Sequence, residues 1–223
     1  MACRKLYGSG SMMSNGGDAG IRILEEDEIR EAVNIASGRG SYVAMHAHGA
    51  EAIDVGVKSG VRTIEHASLI SDETLQYMNG RRDVGIMPTL AILHDLIESD
   101  YSEFPGAVKK INKLKDDVKT SLMNAANYDV VIGWGTDVSY ASYKKNPGLE
   151  FKMRKEFLEY SNVDILKQAT IKSAELLMMQ DKIGTVKAGK QADLIVVDGD
   201  PLQDIRVMYA PPARVIKNGA FIR

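Results

Sequence analysis

The alternation of short apolar stretches with amphipathic segments is the feature that most limits how this chain can fold. Five stretches rich in β-branched or apolar residues are predicted as buried strands, at residues 4–7, 41–46, 61–65, 84–88 and 129–134. Segments with helical spacing lie between them, among them residues 26–37, 50–58 and 72–78. A strand followed by a helix, repeated about every 20 to 40 residues, is typical of parallel βα units. The predicted class is therefore α/β.

The character of the sequence changes after the fifth apolar stretch. A loop is predicted after Trp134, followed by two helical segments at residues 149–160 and 163–178. From Ile183 onward, glycines separate three short strand candidates at residues 192–197, 214–217 and 220–222. We therefore expect two parts, a βα domain over residues 1–183 and a small β unit over residues 184–223.

Composition excludes several classes of partner. The chain has 28 basic and 30 acidic residues and a formal charge of -2, so no basic patch for a nucleic acid is expected. Its apolar runs are far shorter than the roughly 20 residues of a membrane span, and the first eleven residues do not resemble a signal peptide. We expect a cytoplasmic protein that acts on a small molecule.

The single cysteine limits the metal chemistry that the chain can support. With only Cys3 present, neither an intrachain disulfide nor a cysteine-only metal cluster can form. Any metal must therefore be held by His, Asp, Glu or a modified Lys.

Three residues with suitable side chains lie at or just past the ends of predicted strands. His46 ends the second apolar stretch, His66 directly follows the third, and Asp137 stands three residues after the fifth. The carboxyl ends of parallel barrel strands converge on one mouth, where active sites are built. Imidazole and carboxylate are the usual ligands of a catalytic zinc ion. One such histidine alone is more often an ordinary hydrogen-bonded residue, but three residues at equivalent places favour a metal site.

Other candidates are open to two interpretations. His48 could be a ligand if the second strand continued, but Gly49 favours a substrate-binding or supporting role. His94 either approaches the mouth or occupies a solvated helix position. Lys5, taken alone, is an ordinary surface lysine. The glycine-rich stretch 8–20 lacks the ending of a P-loop, and an active-site loop is the better interpretation.

Several stretches together resemble a known family. Val-Ala-Met-His-Ala-His-Gly at 43–49, Gly-Val-Arg-Thr-Ile-Glu-His-Ala at 60–67 and Gly-Thr-Asp at 135–137 are similar to its strand 5, 6 and 8 motifs. Gly-Lys-Gln-Ala-Asp-Leu at 189–194 and Gly-Asp-Pro-Leu at 199–202 are similar to its closing segment. The sequence thus resembles the amidohydrolase superfamily, in the branch of imidazolonepropionase-like enzymes and Xaa-Pro dipeptidases.

This resemblance implies a fold and a set of roles. The fold would be a (β/α)8 TIM-type barrel, here about strands 4 to 8, with C-terminal strands of a composite β-sandwich. His46 and His66 would bind one Zn2+, and Asp137 would bind a second and serve as general base and proton donor. Lys5 aligns with a strand 4 lysine that many members carry in carboxylated form, bridging two zinc ions. Tyr7 and His48 are the predicted substrate-binding residues.

The implied activity is hydrolysis of a C–N bond by metal-activated water, in an Xaa-Pro dipeptide, an N-acyl amino acid or a related amide. One zinc ion or two per active site, or another divalent metal, would serve.

The resemblance departs from the family at the front of the chain. The family has a His-x-His pair in strand 1, whereas no histidine precedes His46 in this sequence. The alternative is therefore a truncated, non-catalytic fragment, or a subunit that needs another chain to supply that pair. Unpaired barrel edges would also favour a homo-oligomer. A sugar- or phosphate-binding βα protein is a third interpretation, which leaves the placement of the histidines unexplained.

Overall fold

A five-stranded parallel sheet forms the centre of the structure. The computed structural model describes residues 3–13, 18–98 and 105–222. The strands lie side by side in chain order: β1 (Cys3–Tyr7), β2 (Tyr42–Ala47), β3 (Thr63–His66), β4 (Gly85–Met87) and β5 (Val131–Ile132). All five correspond to predicted strands, so the α/β class and the parallel pairing are confirmed. In the described part of the chain the sheet is open, with β1 and β5 as its edges, and closure into a barrel stays a prediction.

Helices follow the strands along the chain. Those between the first and the fifth strand are α1 (Glu26–Ser37), α2 (Ala50–Lys58), α3 (Asp72–Met78), α4 (Leu90–Glu98) and α5 (Pro105–Ala125). The first three begin and end where the sequence predicts. Ser71 caps α3 by accepting a hydrogen bond from the Thr74 amide at 3.2 Å, as its side chain suggests. Residues 90–125 had no predicted element, and the structure places His94 on α4.

Four further helical segments follow β5: α6 (Tyr140–Lys145), α7 (Leu149–Glu156), α8 (Asn162–Lys167) and α9 (Ser173–Leu176). Helix α6 lies where a loop was predicted, and α7 ends four residues earlier than predicted. A π-helical turn, Gln168–Lys172, joins α8 to α9, so the predicted helix 163–178 is one interrupted unit. Within the described ranges, no helix combines the length and apolarity that crossing a bilayer requires.

The C-terminal part forms a second, antiparallel sheet. Its strands are β6 (Leu194–Val196), β7 (Arg214–Lys217) and β8 (Ala220–Phe221), close to the predicted positions. Ile205 and Met208, on a 3-10 turn within this part, are buried in the main core. The division at residue 183/184 stays a prediction, and these two contacts show that the tail packs against the larger part.

The core between the sheet and its helices determines which strand residues lie on the opposite face of the sheet. Met45 and Ile64 are fully buried against α2, where a Cβ atom on Gly56 would lie 2.1 Å from Met45 Cε and 3.2 Å from Ile64 Cδ1. Since side chains alternate along a strand, the neighbours of these residues face away from the helices. His46 is such a neighbour, so the packing of Met45 presents its imidazole on the face opposite α2.

This packing predicts a large difference between two isoleucine truncations. Ile64→Ala should lower the free energy of unfolding by about 2–5 kcal/mol, because it leaves a cavity between sheet and helix. Ile35→Ala, at a residue of α1 that is 45% exposed, should change it by about 0.5 kcal/mol or less. Chemical denaturation of the two variants measures both values. Equal losses would show that the sheet face against α2 is not a packed core.

Candidate metal centre

Strand register brings the predicted site residues to one end of the sheet. Tyr7 lies beside His46, His46 beside Glu65, and Ala47 beside His66. In-register residues of neighbouring strands share a face. Tyr7 and His46 are therefore on the same face of the sheet, and an extended backbone at His66 would direct its side chain to the other face.

The backbone is not extended at the end of β3 or in the segment that follows β5. The φ angles of His66, Ala67 and Asp137 are 71°, 49° and 55°, in the left-handed region. A residue with a Cβ atom enters this region at a cost of roughly 1–2 kcal/mol, and such strain concentrates at functional sites. At His66 the change of direction brings its ring to 4.6 Å from the ring of His46, centroid to centroid. Two of the predicted ligands thus lie on strained backbone.

Three imidazoles form a compact cluster, which we call the histidine cluster: His46, His48 and His66. The ring of His48 lies 4.7 Å from each of the other two, edge-on to His46 and stacked on His66. Their potential ligand atoms all lie within 4.8 Å of one another, and all three side chains are buried. The sequence predicted two of these residues as ligands and gave His48 another role, whereas the structure places His48 among them.

Hydroxyl groups orient two of the three rings. His48 Nδ1 lies 2.8 Å from Ser68 Oγ, and His66 Nδ1 lies 2.6 Å from Thr89 Oγ1. Each contact occupies one ring nitrogen and leaves Nε2 for a ligand, the arrangement that supports metal-binding histidines. Ser68 and Thr89 were not singled out in the sequence, although each stands two residues after the end of an observed strand.

The glycine-rich stretch contributes further contacts to the cluster. Ser9 Oγ accepts a hydrogen bond from the His48 amide at 2.9 Å, and Gly10 O lies 3.5 Å from His46 Nε2. These contacts support an active-site loop at the start of the stretch. Residues 14–17 of the predicted loop lie outside the described residues.

Burial keeps the cluster in its neutral form. Desolvation lowers the pKa of His48 to about 3, and the nearby His46 acts on it in the same direction. The pKa of His66 lies well below its ordinary value. Desolvation is the largest cause, and electrostatic interactions with His48, His46 and Lys5 lower this pKa further. The pKa of His46 is lowered mainly by desolvation. Neutral imidazole is the form that binds metal, so the donor set fits a divalent ion such as Zn2+.

Lys5 and Asp137 lie within electrostatic range of the cluster but outside it. The charge of Lys5 contributes to the lowered pKa of both His46 and His66, and the charge of Asp137 acts on the pKa of His46 in the opposite direction. Both residues are exposed, and Lys5 on β1 is in register with Ala44 on β2. Their roles as metal ligands therefore stay predictions that this placement supports.

Tyr7 and His94 occupy different positions relative to the cluster. The Tyr7 ring lies 4.8 Å from the ring of His46, and its side chain is 59% exposed. This position suits contact with a substrate, the role predicted for Tyr7. His94 is half-buried on α4 and is not a member of the cluster.

Comparison with known proteins gives a consistent family. The profile of the amidohydrolase family matches residues 3–222. The chain is 25% identical over 218 residues to an ochratoxinase of Aspergillus niger, and 27% identical over 158 residues to an imidazolonepropionase of Picrophilus torridus. The crystal structure of a prolidase complexed with N-methylphosphonate-L-proline superimposes with a TM-score of 0.88 at 32% identity. The resemblance noted in the sequence is thereby confirmed.

The matches cover much more of this chain than of the similar proteins. The ochratoxinase match spans 94% of this chain and 43% of the relative, and the imidazolonepropionase match spans 70% and 35%. The prolidase match spans 97% of this chain and 53% of the other. The chain therefore spans about half the length of the proteins that it matches, or less.

The neutral cluster predicts how stability depends on pH. The ordinary histidine pKa is 6.5 and that of folded His48 is about 3, so between these values the unfolded chain binds a proton that the folded chain does not. The contribution of neutral His48 to the free energy of unfolding is therefore fully present above pH 6.5. It falls as the pH is lowered toward 3, by about 1.4 kcal/mol per pH unit. His48→Asn should make the slope shallower by about this amount. Urea unfolding of metal-free protein at a series of pH values measures it, and identical slopes in both proteins would contradict a neutral, buried His48.

Proposed function

The chain belongs to the amidohydrolase family, and from this premise we propose that it is a metal-dependent hydrolase of C–N bonds in amides or peptides. The histidine cluster carries the proposal, because it gathers three neutral imidazoles with potential ligand atoms within 4.8 Å. The similar proteins named ochratoxinase, imidazolonepropionase and prolidase support the reaction class.

His46 and His66 would hold the metal, with His48, Asp137 and Lys5 as further candidates. A bound divalent ion supplies Lewis acidity, which lowers the pKa of water to roughly 7 and polarises a carbonyl group. The hydroxyl groups of Ser68 and Thr89 hold the rings of His48 and His66 in place. Carboxylation of the exposed Lys5 amine by CO2, with release of a proton, would convert a cation beside the cluster into an anion that could serve as a further metal ligand.

Asp137 would move the proton in this reaction. Its carboxylate would accept a proton from the attacking water as the new C–O bond forms at the carbonyl carbon. It would then deliver that proton to the nitrogen as the C–N bond breaks, giving a carboxylic acid and an amine. Asp137 follows β5 along the chain, has a left-handed φ angle and lies within electrostatic range of His46.

The substrate class proposed is an Xaa-Pro dipeptide or a related N-acyl amino acid. The similarity to a prolidase whose structure holds N-methylphosphonate-L-proline supports this choice over a cyclic amide. Tyr7 would contact the substrate, since its ring lies beside His46 and is largely exposed, and His48 would do so if it is not a ligand. A cytoplasmic location also stays a prediction.

A second candidate is that this polypeptide acts only together with a partner that completes the sheet. The observation that favours it is the exposed edge strand β1, on which Lys5 and Tyr7 face the cluster side. A further polypeptide, or a second copy of this one, would pair with such an edge. Metal content and activity of the purified chain distinguish the two candidates.

The first measurement is metal content after purification without chelators. About one or two zinc ions per chain are expected, and His66→Ala should reduce this number because the cluster loses a ligand. His94→Ala is the matched control, since His94 lies outside the cluster, and should leave the content unchanged. A folded wild-type chain without bound metal would contradict the metal site in this chain alone and favour the second candidate.

Asp137→Asn tests the proton transfer. With an Xaa-Pro dipeptide as substrate, kcat of this variant should be roughly 10²- to 10⁴-fold lower than that of the wild type. The reason is that the amide cannot accept the proton. Asp198→Asn, at an exposed carboxylate just after β6 in the C-terminal part, serves as the control and should retain activity. If Asp137→Asn keeps the wild-type rate while still binding metal, another group performs the proton transfer.

A further inference from the structure

A buried arginine near the ends of β4 and β5 makes contacts that the proposed function does not use. Arg154 on α7 has no exposed side-chain surface, and its Nε donates to Glu150 Oε1 at 2.8 Å. Glu150 is buried as well. A buried ion pair often stabilises a fold no more than apolar residues of the same volume would. The presence of this pair is therefore not explained by stability alone.

The remaining donors of Arg154 join separate segments of the chain. Nη1 donates to Gln168 Oε1 at 2.6 Å on the π-helical turn, and Nη2 donates to Pro88 O at 2.9 Å, just after β4. The guanidinium also lies over the ring of Trp134, 4.6 Å from its centroid, just after β5. One side chain thus contacts the segment after β4, the segment after β5 and the π-helical turn.

Glu150 and Ser173 extend these contacts. Glu150 Oε2 accepts a hydrogen bond from the Ala91 amide at 2.8 Å, near the start of α4. Ser173 Oγ accepts from the Trp134 amide at 2.9 Å and donates to Gln168 O at 2.7 Å. We call Glu150, Arg154, Gln168 and Ser173 the arginine clamp. Its members hold one another, and their outward hydrogen bonds reach the segments that follow β4 and β5.

Two residues of the candidate metal centre, Thr89 and Asp137, lie close in the chain to residues that the clamp holds. Pro88 precedes Thr89, whose Oγ1 lies 2.6 Å from His66 Nδ1. Trp134 stands three residues before Asp137. The two segments also touch, since a Cβ atom on Gly135 would lie 3.0 Å from Thr89 Cγ2. A shift of either segment would therefore move Thr89, Asp137 or both.

We propose that Arg154 and Glu150 are positioning residues, which fix the ends of β4 and β5 and thereby the orientation of the His66 ring and the place of Asp137. They act on the His66 ring through Thr89 and on Asp137 through Trp134. The proposal rests on the proposed metal site for its role in function, although the geometry of the clamp does not depend on a metal.

The test replaces the buried ion pair by apolar side chains of similar volume, Arg154→Met together with Glu150→Leu. Binding of Co2+ is measured by competition with a chelating dye and by the visible absorption of the bound ion. We expect the double variant to fold with a lower melting temperature, because Pro88 O, Gln168 Oε1 and the Ala91 amide lose their partners. It should bind Co2+ about 10- to 100-fold more weakly, with a changed spectrum, because outer partners of a metal ligand typically have effects of this size. Unchanged affinity and spectrum in the folded double variant would overturn the proposal.

The control is the ion pair on the exposed side of the same helix. Lys152 and Glu156 have the same four-residue spacing and lie 3.9 Å apart, so Lys152→Met with Glu156→Leu removes the same charges without touching the clamp. Wild-type affinity is expected for this control. Ser173→Ala is measured in parallel, since it removes one hydroxyl from the clamp and is readable if the double variant does not fold. In that case, a several-fold loss of affinity in Ser173→Ala supports the proposal, and wild-type affinity overturns it.

A second readout separates this proposal from the metal site itself. If the wild-type chain binds no Co2+, the metal site fails, and the clamp is tested by imidazole nitrogen NMR of the metal-free protein. The chain has four histidines, and the signals of His66 are those missing from His66→Ala. The double variant, or Ser173→Ala, should shift these signals because the contact with Thr89 changes. Unshifted His66 signals would overturn the clamp independently of any metal.

Discussion

The burial of three imidazoles in one small space is the constraint on which the rest of this structure depends. An unsatisfied buried polar atom costs about 1–3 kcal/mol, and each ring must also keep one nitrogen free to act as a ligand. Hydroxyl groups solve this in a regular way: Ser68 after β3 serves His48 after β2, and Thr89 after β4 serves His66 at the end of β3. Each of these two rings is thus oriented from the neighbouring strand. The pattern requires parallel strands in chain order, which is the order observed.

The same strand ends carry backbone strain that the surrounding hydrogen bonds maintain. His66 and Ala67 have left-handed φ angles, yet the Ala67 amide still donates to Ala47 O at 3.1 Å and the Leu69 amide to His48 O at 2.9 Å. The turn after β3 therefore stays attached to β2 while the His66 ring is directed toward the cluster. Strained residues persist only where the surroundings determine them this strongly. The clamp fixes the segments after β4 and β5 in a similar way, by side-chain hydrogen bonds to Pro88 O and the Trp134 amide.

Sequence periodicity was sufficient for the elements but not for the details of the site. The strands and the helices α1 to α3 follow from apolar spacing and, at Ser71, from a capping side chain. The left-handed turn at His66 could not be predicted, because histidine, unlike glycine, gives no signal for it. The inclusion of His48 in the cluster likewise depends on that turn. Ser68 and Thr89 look like ordinary loop hydroxyls until the strands are placed side by side.

The charge around the cluster gives a physical reason for the proposed carboxylation of Lys5. Neutral imidazoles contribute no charge to offset a divalent ion, while the Lys5 ammonium contributes to the lowered pKa of His46 and His66 and so places a positive field at the cluster. The same field opposes the approach of a metal cation. Converting the amine to a carbamate reverses its sign, and Asp137 already contributes a negative charge near His46. With both anions present, the burial that keeps the imidazoles neutral and the charge that attracts a cation act together, whereas an unmodified Lys5 would set them against each other.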